Sequence, residues 1–378
     1  MTFILKDFIH PSFKQIQVKD KIRYNNLLNL STNELKHTIL DKLDKKYRKN
    51  NLSDITRCYP CLVTPRLFLS KYFHLSDNQI LLAPGSDLLI NLVLLSFNRT
   101  KSIIICNPEY YSYRDYALLN GYKIINADII STSKEESLIT YIKLLMNTSS
   151  SIVVLSNPNG VTGLSIQIEN MDNIAKICDK HNHLLIIDEA YSAFYKLDHR
   201  PLLKNYKNIL ILKTFSKSHG IAGLRFATAF GQNDLISSIR KTGIENAVSS
   251  VSINYFIFLI KHEDRINQIH NDILTAKKIF INFLYDEFPQ WEVYKTSTHF
   301  CTIDVKDEKT ALELIDIFKL KNIIIKFLGY VSQLNTCIRI TISEGIYMKN
   351  VITILKDYNL KNIEKKQLLF IYEFYLFH

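Results

Sequence analysis

The amino-acid sequence predicts an α/β protein built on a largely parallel central sheet. Three observations predict it: short runs of β-branched residues and Leu without polar alternation, helix-length amphipathic segments between them, and glycines where the two meet. The runs Ile103–Cys106, Ser151–Leu155, Leu184–Ile187 and Ile209–Leu212 read as strands buried on both faces, since a strand with one wet face alternates polar and apolar residues. Segments such as Ser112–Asn120 and Ile168–Asn182 read as the intervening helices. Glycine is scarce, at 10 residues. Gly85, Gly121, Gly160, Gly163, Gly220, Gly223 and Gly231 mostly abut apolar runs and read as turns.

This pattern holds from about residue 62 to residue 260. Beyond it, Ile266–Tyr285 and Lys309–Phe318 read as helices, and Trp291–Val305 and the stretches around Ile323 and Arg339 as strands, which together make a smaller α+β unit. The expected organisation is an arm and part of the small domain in 1–55, a large ligand-binding domain in 56–262, and a small C-terminal α+β domain with an apolar tail in 263–378. Neither a low-complexity linker nor an internal repeat is visible.

Composition narrows the function classes. Apolar residues make up 47% and charged residues 22%, with 21 Tyr and 21 Phe, enough to bury a large core and to exclude a disordered chain. Met1–Lys21 lacks the charge, apolar run and cleavage site of a secretory signal, and no apolar run is long enough for a membrane span; a cytoplasmic protein without membrane contact is expected. Six cysteines are too few and too scattered for a disulfide framework. Cys58 and Cys61 have no second pair to complete a zinc site, so no metal is expected. The net charge of +11 comes from lysines dispersed along the chain. That dispersion argues against a nucleic-acid surface and is compatible with an anionic ligand.

Three polar clusters follow the expected strands: Asn157-Pro158-Asn159-Gly160-Val161-Thr162-Gly163, Asp188-Glu189-Ala190-Tyr191, and Thr214-Phe215-Ser216-Lys217-Ser218-His219-Gly220. Each alone has an ordinary reading, as a turn, a solvated strand end and a surface lysine. In an open parallel sheet, however, all three fall on the carboxyl edge, where ligands bind. Together they meet the requirements of an aldehyde cofactor held as an imine. Lys217 supplies the amine from a small-residue turn, Asp188 supplies a carboxylate for a pyridine nitrogen, and Ser216, Arg225 and the backbone around Gly85-Ser86-Asp87 supply donors for a phosphate.

At these residues the sequence resembles the aspartate aminotransferase superfamily, fold type I, and within it the branch containing histidinol-phosphate aminotransferase. The resemblance spans about Asn29 to Gly345. It rests on Asn33-Glu34, Tyr59-Pro60, Ala83-Pro84-Gly85-Ser86-Asp87, Asn107-Pro108-Glu109-Tyr110, Asn157–Gly163, Asp188–Tyr191, Ser216–Arg225 and Arg339-Ile340-Thr341; the lysine motif is the most specific. It implies a seven-stranded, mostly parallel sheet flanked by helices, pyridoxal 5'-phosphate as cofactor, and a homodimer with shared active sites. Tyr110 would stack on the ring, Asp188 would pair with its nitrogen, Tyr191 would reach the phenolic oxygen, and Lys217 would carry the Schiff base. Gly85, Ser86, Asp87, Ser216 and Arg225 would surround the phosphate, with Tyr59 approaching it from the second subunit. Asn33 and Arg339 would meet the substrate, Arg339 gripping its carboxylate with a two-pronged guanidinium.

Two departures stand out. The family places Asn immediately before Pro-Thr-Gly, where its amide donates to the phenolic oxygen; here Gly160, Val161 and Thr162 occupy that stretch. Either Asn159 takes over after a small backbone shift, which is the preferred expectation, or Tyr191 remains the main donor. The second departure is the tail, Leu368–Phe377, apolar enough that it is expected to pack on the small domain or at the dimer interface. The implied reaction is amino-group transfer between an amino-acid-like donor and a 2-oxo acid. Decarboxylation of the threonine-phosphate decarboxylase kind, and elimination, cyclisation or condensation at the α-carbon, remain as alternatives.

Overall fold

The computed structural model describes residue 16 and residues 27–49, 56–128 and 135–376; the Met1–Lys21 reading lies outside them. In chain order the strands are β1 (Leu28–Asn29), β2 (Ile80–Ala83), β3 (Ser102–Asn107), β4 (Lys123–Asp128), β5 (Ser151–Ser156), β6 (Leu184–Asp188), β7 (Ile209–Thr214), β8 (Ala227–Gly231), β9 (Glu292–Val293), β10 (Phe300–Asp304), β11 (Ile323–Ile324), β12 (Lys326–Phe327) and β13 (Cys337–Thr341). Strands β2–β8 form one seven-stranded sheet in the order β2-β8-β7-β6-β5-β3-β4. Strand β8 runs antiparallel to both its neighbours, and all other pairings are parallel. The sheet is thus the mostly parallel seven-stranded one that the resemblance implies.

The four apolar runs of the sequence occupy β3, β5, β6 and β7, which sit side by side in the middle of the sheet. Their continuous hydrophobicity follows from burial on both faces. One face packs Ile103, Ile105, Val154, Ile186, Leu210 and Leu212 against Leu89, Ile90, Val93 and Leu94 of the helix Ser86–Ser96. Burial of each such side chain stabilises the fold by about 1.5–3 kcal/mol relative to exposure. Alternate residues, Leu185 and Ile187, point the other way and are equally buried. The helix Ile168–Lys180 buries Met171, Ile174, Ala175 and Cys178, spaced i, i+3, i+4, i+7 as one apolar stripe requires.

Among the described residues the chain divides into two compact units, one comprising Asp41–Ile266 with Thr296–Thr298, the other comprising Asn267–Lys295 and the chain from His299 on, with the stretch that ends at Leu40. Within the second, β12-β13-β10-β9 form an antiparallel sheet and β1 pairs with β11 in parallel. The helix Glu308–Leu320 buries Ala311, Leu314 and Phe318 and starts at Asp307, whose carboxylate accepts the Thr310 N–H at 2.8 Å. The expected strand Trp291–Val305 is in fact two, β9 and β10. Between them Thr296 and Thr298 bond locally, with the Thr298 N–H on the Thr296 hydroxyl at 3.2 Å, and such bonds compete with a ladder. A last helix runs Gly345–Leu376; its side chains beyond 360, and with them the expected packing of the apolar tail, lie outside the described residues. No helix among the described residues is long and apolar enough to cross a membrane.

Candidate active site

The carboxyl ends of β6 and β7 define the site. Asp188 is the last residue of β6 and pairs in register with Leu212 of β7; β7 ends at Thr214, so Asp188 and the Lys217 turn emerge at the same sheet edge. The turn is anchored on both sides of Lys217. Phe215 is fully buried, stacking with Phe226 at 5.7 Å and lying against Phe256 at 3.9 Å between ring centroids. Ser216 takes a hydrogen bond from the Thr214 hydroxyl at 3.1 Å, and the His219 N–H returns to the Phe215 carbonyl at 3.1 Å. Lys217 is half-buried between buried Ser216 and Ser218, so the base of its side chain is fixed.

Asp188 is buried, 6% exposed. Its Oδ2 accepts from the Tyr113 hydroxyl at 2.8 Å and its Oδ1 from the Ala190 N–H at 2.9 Å. Burial nevertheless raises its pKa to about 6, against those two donors. It forms no ion pair among the described residues, so a carboxylate with two donors stands in a low-dielectric site without a cation. A protonated pyridine nitrogen is the kind of partner that would offset this burial, and the residue fits the cofactor in that respect.

Gly85 adopts φ +89 at the start of the helix Ser86–Ser96. A Cβ there would stand 2.5 Å from Arg225 Nη2, so the guanidinium lies directly against the glycine. Helix N-terminal N–H groups, Ser86 and a guanidinium thus converge, the donor set of a phosphate cradle. Asp87 has a different task. Its carboxylate accepts from the Tyr110 hydroxyl at 2.7 Å and from Ser112 at 3.1 Å, and it pairs with Arg225 at 3.3 Å. It therefore anchors Tyr110 and Arg225, and an anion is not expected to touch it directly. Burial, then the Asp87 charge, push the Tyr110 phenol well above its ordinary pKa, so it stays protonated.

Asn159 is held within its loop. Its Oδ1 accepts from Val161 N–H and Thr162 N–H, both at 2.9 Å, and from Thr162 Oγ1 at 3.1 Å, while Nδ2 donates to the Pro108 carbonyl at 2.8 Å. The amide oxygen clasps its own loop, and Nδ2 spends one of its two N–H groups on Pro108. Tyr191, 8% exposed, lies with its ring against Gly160. Tyr59 is wholly exposed. In the second unit, Arg339 of β13 donates from Nη2 to the Ser31 carbonyl at 3.1 Å, with its guanidinium 5.0 Å from the Phe300 ring centroid. Asn33, at φ 56, accepts from Thr341 Oγ1 at 2.9 Å.

Sequence reasoning missed three sets of residues. Tyr113 is the donor that holds Asp188, and a carboxylate at a buried strand end is the signal that one was needed. Glu109 is mostly buried, accepting from Tyr110 N–H and from both the N–H and hydroxyl of Ser156; burial raises its pKa to about 7. The third set surrounds Glu189. Its carboxylate accepts from Lys213 Nζ at 2.8 Å, from Ser192, and from both the backbone N–H and Nδ1 of His199 at 2.8 Å. The far nitrogen of His199 meets Asn157 Nδ2 at 3.1 Å, and Asn157 also bonds both polar backbone groups of Ile166. Although burial opposes it, the Lys213 charge and then His199 hold the Glu189 carboxyl well below the usual range. The network ties the 157–166 loop to β6 and β7.

The raised carboxyls predict a pH dependence. The folded pKa values of Asp188 and Glu109 lie above their ordinary 3.8 and 4.5, at about 6 and about 7, so between about pH 4 and pH 7 the folded chain holds protons the unfolded chain has released, and stability falls as pH rises through that window. In cofactor-free protein, the stability difference between wild type and Glu109→Gln is expected to shift by about 1–3 kcal/mol in favour of the variant from about pH 5 to about pH 8. Urea denaturation at the two pH values measures it; a constant difference would contradict the assignment.

The aminotransferase class I and II family model matches residues 25–353. A histidinol-phosphate aminotransferase of Clostridium botulinum is 30% identical over 290 residues, covering 74% of this chain and 77% of that protein. The solved histidinol-phosphate aminotransferase of Sinorhizobium meliloti, in complex with pyridoxal-5'-phosphate, superposes with a TM-score of 0.80 at 17% identity, covering 93% of this chain and 98% of that one. The L-threonine-O-3-phosphate decarboxylase of Porphyromonas gingivalis does so with a TM-score of 0.75 at 21% identity, covering 88% and 99%. With its fold-type-I sheet and the motif set on its carboxyl edge, the chain belongs to the class I and II aminotransferase family, in the histidinol-phosphate aminotransferase-like branch.

Proposed function

We propose that this protein is a pyridoxal-phosphate-dependent aminotransferase that moves an amino group between an amino-acid-like donor and a 2-oxo acid. The observation that carries the reading is the buried Asp188 carboxyl, held by Tyr113 and in no ion pair among the described residues, at the sheet edge from which Lys217 also emerges. When bound, the cofactor supplies an electron sink for the bond broken at the substrate's α-carbon. Lys217 would hold it through Nζ, Asp188 would keep its ring nitrogen protonated, Tyr110 would cover the ring face, and Tyr191 would donate to the phenolic oxygen. Gly85, Ser86, Ser216 and Arg225 would hold the phosphate. Tyr59, exposed in one chain, would complete that cradle in a second copy, which makes a homodimer the working form.

Lys217, released when substrate binds, would use Nζ as the base that takes the proton from the α-carbon and as the acid that returns it. Arg339 and Asn33 are assigned to the substrate on the family resemblance, Arg339 to the carboxylate. By holding the carboxylate in place, Arg339 would leave the α-proton as the group presented to Lys217 Nζ.

Histidinol phosphate is the first donor to test, because relatives in this branch carry that name. The purified holoenzyme is mixed with single amino donors and the products are identified by mass. The proposal expects a keto product and the cofactor recovered in its amino form. Histidinol phosphate has no carboxylate to lose, so α-amino acids are tested beside it; from one of these, stoichiometric carbon dioxide with an amine, and no amino form of the cofactor, would replace the proposal with decarboxylation.

A further inference from the structure

We infer that Gly160 is a positioning residue for Tyr191: the absence of a side chain there leaves the space in which the tyrosine ring is seated, and so fixes where its hydroxyl stands. Gly160 is not among the glycines with positive φ, so its backbone conformation is open to any residue and does not explain a glycine. The surroundings do. A Cβ on Gly160 would stand 3.1 Å from Tyr191 Cε2 and 3.9 Å from Cδ2 and Cζ, which is inside comfortable contact with the edge of the ring at Cε2.

The backbone that carries Tyr191 is held on each side. The Ala190 N–H is bonded to Asp188 Oδ1, the Glu189 N–H to the Leu212 carbonyl at 2.7 Å, and the Ser192 N–H to the Glu189 carbonyl at 3.2 Å. Ser192 is further tied by its hydroxyl to Glu189 and Lys213. A methyl at Gly160 therefore meets a ring whose main chain has little room to retreat, and the strain goes into the side-chain torsions that aim the hydroxyl. On the proposed reading Tyr191 is a donor that serves this side of the site. The placement of one ring on one glycine then controls that donor.

The inference rests on the reading that Tyr191 donates to the cofactor's phenolic oxygen, and two measurements separate the two ideas. The first needs no cofactor. Gly160→Ala is expected to lower the melting temperature of the cofactor-free dimer by about 2–4 °C. In the Tyr191→Ala background the same change is expected to be neutral or stabilising, since the space is vacated and alanine loses less chain entropy on folding than glycine. An equal loss in both backgrounds would overturn the seat.

The second measurement follows the pH midpoint of the bound cofactor's visible band. A donor withdraws negative charge from the phenolic oxygen, so Tyr191→Phe is expected to raise the midpoint by about one pH unit. Gly160→Ala should move it in the same direction by a part of that amount, and should move it no further in the Tyr191→Phe background. A shift from Gly160→Ala that persists without the hydroxyl would overturn the inference. An unmoved midpoint in Tyr191→Phe would instead remove the phenolic-oxygen contact, leaving the melting temperatures to decide whether Gly160 seats the ring.

Discussion

Lys217→Ala is expected to lose at least about 10^4-fold in turnover, because one amine serves both as the covalent anchor and as the proton carrier, and groups with that double use are not replaced by water. The loss should come without unfolding. Lys217 is half-buried, while the turn that presents it is fixed by Phe215, Ser216 and the His219 N–H, none of which the substitution removes. Steady-state kinetics with a melting curve on the same samples measure both halves. A melting temperature near that of wild type with turnover reduced by less than about tenfold would show that the amine of Lys217 is dispensable.

The largest stability effect is expected at Glu189. Removing its carboxylate by Glu189→Ala leaves Lys213 without its counter-charge and strips the fully buried His199 of the acceptor shared by its backbone N–H and Nδ1. Breaking one member of a buried charged network costs about 3–5 kcal/mol. Much of that cost is the cation left behind, so Glu189→Ala combined with Lys213→Met should cost less than the sum of the two single changes, a coupling that urea unfolding of the double-mutant cycle reads directly. Additive effects would mean that Glu189 and Lys213 do not stabilise each other.

The physics of burial explains which elements were legible in the sequence. Strands β3, β5, β6 and β7 were found because each lies inside the sheet with both faces dry, leaving an uninterrupted apolar run. Strand β8 is just as buried, yet Ala227-Thr228-Ala229-Phe230-Gly231 carries small residues with weak hydropathy, and β4, at the sheet edge, carries Lys123, Asn126 and Asp128. Neither announces itself. Helices fared well wherever an apolar stripe was present: Ile168–Asn182 was expected and Ile168–Lys180 observed, Lys309–Phe318 expected and Glu308–Leu320 observed.

At the site, Lys217, Asp188, Gly85 and Arg225 stood out because their motifs are contiguous and each matches one chemical need. Tyr113 and Glu109 escaped because their partners are far apart in sequence: Tyr113 and Asp188 are separated by 75 positions and Glu109 from Ser156 by 47. Only the fold brings them together. The use Asn159 makes of its amide oxygen has a local reason: an Asn two or three residues ahead of backbone N–H groups closes an Asx-type turn.

The central claim is that Lys217 holds the cofactor covalently, and one measurement tests it most directly. The holoenzyme is reduced with borohydride, digested, and its peptides are mapped by mass. The account predicts one reduced phosphopyridoxyl group per chain, on the peptide that contains Ser216-Lys217-Ser218, and none on that peptide in Lys217→Ala. A reduced group on a different lysine of the native protein, or no incorporation at all, would contradict it.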